Sequence, residues 1–226
     1  MKTLVFDTGS IISLVTNNLL EILKPLKEKF KGEFYLPRSV EYELVDKPIE
    51  GKMFKLEAMM VDSIIKDGTL TMYNQILNVE SLLSKMNGIF LVNGKPLSIV
   101  SKAEVEALAL AVALKSEAYV VDERTMRLLI EDPLRLRKIQ ENKLHTRVAV
   151  NKEFLKEFSN FVKNIKVIRS TELVLVAYEL GILDRYLTTH SSRKELVDAL
   201  LWGLKLRGCS ISQEEVRTLV EMETKK

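Results

Sequence analysis

The sequence predicts an α/β domain with a mostly parallel central sheet, and three observations lead to that reading. Short apolar runs, TLVF at residues 3–6 and AYVV at residues 118–121, each end on an aspartate, Asp7 and Asp122. Between such runs the apolar positions recur at helical spacing, as in Val105, Leu108, Ala109 and Val112. Helix starts are signalled by capping boxes, Ser101 with Glu104 and Ser212 with Glu215, in which a hydroxyl and a carboxylate each satisfy an orphan amide. Strands separated by helices imply parallel strands covered on both faces. The expected architecture is three layers, α/β/α, with about five strands, in a single domain spanning residues 1–226.

In chain order, residues 3–6 form a first strand that delivers Asp7. Residues 9–30 read as helix in two pieces, and residues 34–36 as a second strand stopped by Pro37. A short helix is expected over 39–45, then a break at Pro48 and Gly51. A helix over 54–66 would set Leu56, Met59, Met60, Ser63 and Ile64 on its core face. Residues 70–73 read as a third strand and 75–86 as helix. Asn93-Gly94 between apolar runs predicts a β-hairpin, because that pair supplies the positive φ angles of a type I′ turn; Pro96 confines its second arm to an edge.

After the helix from Ser101 and the strand before Asp122, helices are expected over 124–131 and 134–143. Another is capped by Asn151, with Phe154, Leu155, Phe158, Phe161, Val162 and Ile165 as its apolar stripe. KVIR at residues 166–169 is a further strand. A helix capped by Ser170 or Thr171 ends at Gly181, and two more run over 192–207 and from Ser212 onward. The hairpin (about 88–100) and the segment 132–166 read as insertions, and 170–226 as a helical carboxyl-terminal part.

Composition narrows the class. Hydrophobic residues make up 46% and charged residues 29%, a globular balance with material for a sizeable core. The one cysteine, Cys209, excludes an internal disulfide, and no Cys/His cluster suggests zinc. No apolar run approaches the ~18 residues of a membrane span, and MKTLVFD enters a strand directly, so no leader is expected. The single cysteine points to a reducing compartment, so a cytoplasmic protein is expected. The net charge is only +3, but residues 124–169 hold 12 Lys/Arg against 5 Asp/Glu. Such a local basic surface is what phosphate-backbone binding needs; a solvated helical face is the alternative.

Four acids stand out by position: Asp7, Glu43, Glu106 and Asp122. Two follow strands and two lie in early turns of helices, so all should share the sheet edge where open α/β sheets bind ligands. Crowded carboxylates raise one another's pKa unless a cation intervenes. Mg²⁺ takes oxygen ligands, keeps several waters and pairs with phosphates. Three of these acids also have a structural alternative. Asp7 suits a helix N-cap, Glu106 complements a helix dipole, and Glu43 suits a surface helix. Glu104 is accounted for by its capping box and is not assigned to the site. Glu123 is either an extra ligand or a solvated neighbour. His145 and His190 have no base or ligand constellation around them.

These motifs together resemble the PIN-domain nucleases. VFDTGSIISL resembles that family's opening strand, Asp and apolar helix, and LPRSVEYELV its second motif, favouring Glu43 over Glu41. EVEALALAVAL and AYVVDERTMR resemble the third and fourth, placing Glu106 and Asp122. IRSTELVLVAYELGIL and LVDALLWGLKLRGCSISQEEV resemble the carboxyl-terminal part of some archaeal members, so the likeness covers nearly the whole chain. Val120 and Val121 stand where a hydroxyl often precedes the fourth acid, and the two insertions lengthen the usual connections.

The resemblance implies a metal-dependent endoribonuclease, toxin-like or RNA-processing, with Asp7, Glu43, Glu106 and Asp122 as catalytic and metal-binding acids for Mg²⁺ or Mn²⁺. Arg124, Arg127, Arg135, Arg137 and Lys138 are expected to bind single-stranded or structured RNA. A non-catalytic RNA- or protein-binding module and a flap-type DNA nuclease are the alternatives. A homodimer, an antitoxin or another protein partner, and no membrane complete the expectations. The dimer is read from the resemblance together with the apolar helices at Leu19–Leu26 and Leu196–Leu206, which could equally finish the core.

Overall fold

The computed structural model of the chain describes residues 1–75, 77–189 and 191–224. Strand β1 (Lys2–Phe6) leads into α1 (Thr8–Thr16) and α2 (Leu23–Phe30), and then into β2 (Gly32–Pro37). Helices α3 (Arg38–Glu41), α4 (Lys47–Glu50) and α5 (Lys55–Lys66) precede β3 (Thr71–Tyr73). Next come α6 (Glu80–Asn87), the hairpin β4 (Phe90–Val92) and β5 (Lys95–Pro96), α7 (Lys102–Ala113) and β6 (Ala118–Val120). The second half runs α8 (Arg124–Glu131), α9 (Pro133–Leu144), β7 (Val148–Val150), α10 (Lys152–Phe161) and β8 (Val167–Ile168). It closes with α11 (Ser170–Glu179), α12 (Arg193–Leu206) and α13 (Gln213–Glu223).

The central sheet has five strands in the order β3-β2-β1-β6-β8, and every pairing in it is parallel. Helices cover it, giving the expected three-layer α/β/α arrangement. Thr3 to Phe6 are all buried, as a strand covered on both faces requires. At the start of β2 the backbones approach so closely that a Cβ on Gly32 would stand 2.4 Å from the Lys2 carbonyl oxygen. Only glycine allows that register.

The two segments read as insertions meet in space. Asn93 and Gly94 take φ angles of 51° and 76°, so the hairpin turns as expected. Its strand β4 then pairs antiparallel with β7, Phe90 opposite Val150, to give a separate three-stranded sheet β5-β4-β7. Strand β7 carries little sequence signal, being three residues long and burying only Val148. Asn151 caps α10 as expected, accepting from the amides of Glu153 and Phe154. Phe158 and Val162 from the predicted stripe enter the core.

Several local expectations are corrected. Helix α5 buries Ala58 and Val61, while Leu56 and Met59 are exposed. The helix packs against α1, α4 and the 42–46 segment, an interface close enough to take alanine. Pro48 lies inside the first turn of α4, where its missing N–H costs nothing, and the break falls at Gly51. The helix expected from Gln75 begins instead at Glu80, and Ile76 lies outside the described residues. Residues 38–46 are not one plain helix, since Tyr42–Asp46 form a π-helical turn. Neither Ser170 nor Thr171 caps α11, whose N-cap is Arg169.

The apolar helices near both ends finish the core. Leu19, Leu20, Ile22, Leu23 and Leu26 are buried, as are Leu196, Leu200, Leu201 and Leu204. Of the two stretches, Leu206 stays exposed. Among the described residues no helix is long and apolar enough to cross a membrane.

Candidate functional site

From β1 the chain proceeds outward through β2 to β3, then returns to place β6 on the other flank of β1. That reversal makes the gap between β1 and β6 the switch point where ligands bind in open α/β sheets. Asp7 follows β1 directly and Asp122 follows β6 with one residue, Val121, between, both at this gap. The Asp7 amide donates to the Val120 carbonyl at 2.9 Å and ties the two strand ends together. Between the carboxylates stands Gly9: a Cβ there would lie 3.5 Å from Asp7 Oδ2 and 3.9 Å from Asp122 Cβ.

Asp7 caps α1 and also faces the gap. Its Oδ2 accepts weakly from the Gly9 amide at 3.4 Å. Its Oδ1 is buried and has no hydrogen-bond partner. Burial, followed by the charge of Glu104 and, less, of Glu43, pushes the Asp7 carboxyl up to about 8 despite the amides of Thr8 and Gly9. A carboxylate so placed is costly without a counter-charge.

Two glutamates, Glu43 and Glu104, act on it directly, and Glu123 lies beside Glu104. Glu43 sits in the π-helical turn, an irregularity that often marks functional sites, and its Oε2 accepts from the Thr8 hydroxyl at 2.7 Å. Glu104 completes the capping box with Ser101, its Oε2 accepting the Ser101 amide at 2.6 Å. Burial raises the Glu104 carboxyl above its ordinary range, with Glu123 and Glu43 adding to it, against the lowering by Ser101. Glu123 caps α8 through the Met126 amide at 2.8 Å. Beneath them Tyr119 is buried, and its phenol is held protonated by burial first and by Asp7, Glu104 and Glu123 next.

Asp122 is held differently. The Ser170 amide donates to Oδ1 at 2.7 Å and the Ser170 hydroxyl to Oδ2 at 2.6 Å, so both oxygens are engaged from α11. The hydroxyl expected as a helix cap is spent here. Asp122 is 1% exposed, and the buried Cys209 thiol lies against it.

Glu106 lies two residues beyond Glu104 and lines a neighbouring cavity of about 440 Å³ with Glu43, Arg38, Lys47 and Lys102. The structure thus brings Asp7 and Glu43 together with Glu104 and Glu123, sets Asp122 beside Gly9, and puts Glu106 in the adjoining cavity. The capping box alone accounts for Glu104 in the sequence, and the fold adds its place beside Asp7. The signal available in the sequence was that a capping-box glutamate folds back to the helix start, which here is the ligand-binding edge of the sheet.

The basic residues divide. Arg124, Arg127 and Arg135 line a cavity of about 700 Å³ beyond α8. Arg137 turns away to Glu141 at 3.6 Å, and Lys138 is exposed. His145 is an exposed C-cap of α9, and His190 lies outside the described residues.

Among the described residues no group of three or more His, Cys, Asp or Glu side chains is arranged to hold a metal ion as it stands. The donor chemistry nevertheless suits a hard cation: oxygen donors only, with the orphaned Asp7 Oδ1 at the centre. Mg²⁺ commonly takes one or two carboxylates directly and keeps water in its other positions. Comparison with protein-family models, curated proteins and solved structures returned no match.

Proposed function

We propose that the protein is a metal-dependent nuclease acting on RNA, with its reacting centre at the gap between β1 and β6. The observation that carries this reading is the buried, unpartnered Asp7 Oδ1 facing further carboxylates at a topological switch point. Asp7, Glu43 and Glu104 would hold Mg²⁺ or Mn²⁺, and Glu106 would reach the same rim from the adjoining cavity. Asp122, fixed by Ser170, adds negative charge and sets the position of the loop that starts α8. When bound there, such a cation would supply Lewis acidity toward water and phosphate oxygens.

The chain's own groups do the rest. The Thr8 hydroxyl, donating to Glu43 Oε2 at 2.7 Å, fixes the orientation of the carboxylate that would face the cation. Arg124 and Arg127 lie three residues apart on α8, immediately after Glu123, and can meet a phosphate backbone leaving the gap. The basic segment favours a nucleic-acid substrate over a small phosphoester.

The test is cleavage of single-stranded RNA with and without Mg²⁺ by the wild-type chain, Asp7→Asn, Glu104→Gln and Asp122→Asn. Loss in Asp7→Asn with retained folding supports the reading. Equal activity in all four would assign the cleavage to a contaminant. A chain that binds RNA but neither binds Mn²⁺ nor cleaves is the non-catalytic module, and preferential cutting of flap DNA would make it a DNA nuclease.

A further inference from the structure

A cavity of about 700 Å³ lies between α8, α9 and the turn joining α12 to α13, lined by Arg124, Arg127, Arg135, Lys205, Ser210 and Ser212, with Leu128 and Ile211 as apolar wall. We infer that this cavity is a binding pocket for a phosphate group carried on a nucleotide, next to the acid cluster but separate from it. Its ligand class rests on the nuclease reading; its chemistry stands on the residues alone.

Four cationic side chains face this space and only two carboxylates, Glu131 and Glu215. Glu215 is already committed, to the Arg169 guanidinium at 3.1 Å and to the Ser212 amide at 2.8 Å. Glu131 stands 4.0 Å from Arg127, too far for a hydrogen bond. The Arg127 Nε is buried with no hydrogen-bond partner. A buried donor left unmade is costly and uncommon, and a phosphate oxygen is the acceptor a guanidinium fork matches best. Among the described residues no ion pair engages Arg124 or Arg135.

The far wall is prebuilt. Lys205 Nζ donates to the Ile211 carbonyl at 2.6 Å and has two further protons to offer. Arg169 holds the Ser210 carbonyl at 3.2 Å. The Ser210 amide donates to the Asp122 carbonyl at 3.1 Å, which ties the pocket wall to the segment following β6. The volume lies within the ~300–1,000 Å³ of small-ligand sites. It has room for a nucleotide, its phosphate on the arginines and its base or ribose against Leu128 and Ile211.

The test is calorimetric titration of the full chain, in chelator, with inorganic phosphate, AMP, and one short single-stranded RNA with and without a 5′-phosphate. Wild type is expected to bind the phosphorylated ligands. Arg127→Gln and, separately, the exposed Arg135→Gln should each weaken that binding roughly tenfold or more, the loss of one charge-assisted bond. Arg185→Gln, on a distant turn, should leave it unchanged, and thermal unfolding checks each variant. A loss for the RNA as well as for AMP identifies a strand phosphate as the source; a loss for AMP and phosphate alone identifies a free nucleotide. If neither variant weakens binding of any phosphorylated ligand, the inference is overturned. Chelator removes metal from the acid cluster, so phosphate binding without later Mg²⁺-dependent cleavage would fail the nuclease reading alone. Cleavage without phosphate binding would fail the pocket alone.

Discussion

Ser170 grips Asp122 twice, by its amide at 2.7 Å and its hydroxyl at 2.6 Å, across 48 residues of sequence. This pair fastens the first turn of α11 to the end of β6, and so positions the loop on which Glu123 and α8 begin.

Removing the hydroxyl should loosen that joint. Ser170→Ala leaves Asp122 Oδ2 buried without its donor, which costs about 1–3 kcal/mol. For a domain of this size each kcal/mol lowers the melting temperature by ~2–4 °C, so calorimetry should show a drop of several degrees. Asp122→Ala should cost more than Asp122→Asn, since the amide oxygen still accepts from the Ser170 N–H. An unchanged melting temperature in Ser170→Ala would mean the bond contributes nothing.

Stability should also depend on Asp7. Its carboxyl is raised in the folded chain from 3.8 to about 8, so the folded state binds the proton more tightly than the unfolded one. The contribution is full below pH ~4 and is lost as pH rises toward 8. Metal-free protein should therefore melt higher at pH 5.5 than at pH 8.5, and Asp7→Asn should shrink that difference. Added Mn²⁺ should restore stability at pH 8.5 in wild type more than in the variant. A pH difference that is the same in both proteins would remove Asp7 as its source.

Glu104 and Glu106 can be separated cleanly. Glutamine serves a capping box as glutamate does, so Glu104→Gln keeps the bond to Ser101 while removing the charge beside Asp7. It should unfold near the wild-type temperature yet lose roughly tenfold or more in Mn²⁺ affinity, while Glu106→Gln loses less. The reverse ranking in a metal titration would return the site to Glu106.

The basic surface should register in salt dependence. Arg137 is tied to Glu141, which also accepts the Val148 amide at 3.1 Å, so altering it would disturb the join between α9 and β7. Arg124, Arg135 and Lys138 are exposed and make the better set. Reversing their charge should weaken RNA binding and reduce the slope of log K against log salt by roughly 0.7 per lost phosphate contact on a single strand. An unaltered slope would leave α8 and α9 as a solvated surface.

The sequence by itself determined the parts that depend on neighbours along the chain. Apolar runs ending in Asp7 and Asp122, the Asn93-Gly94 turn, the Asn151 cap and the capping boxes at Ser101 and Ser212 all follow from local sterics and hydrogen bonding, and the α/β/α class follows from their alternation. The tertiary structure alone decided what depends on contacts between distant segments. Nothing local tells Ser170 to serve Asp122 rather than its own helix, or joins β4 to β7 across the two insertions. Nor does spacing along α7 reveal that Glu104, bent back by its cap, comes under the field of Asp7 and Glu43 while Glu106 enters the next cavity. A carboxylate's environment is set by what packs against it, and here the packing comes from strands and helices tens of residues away.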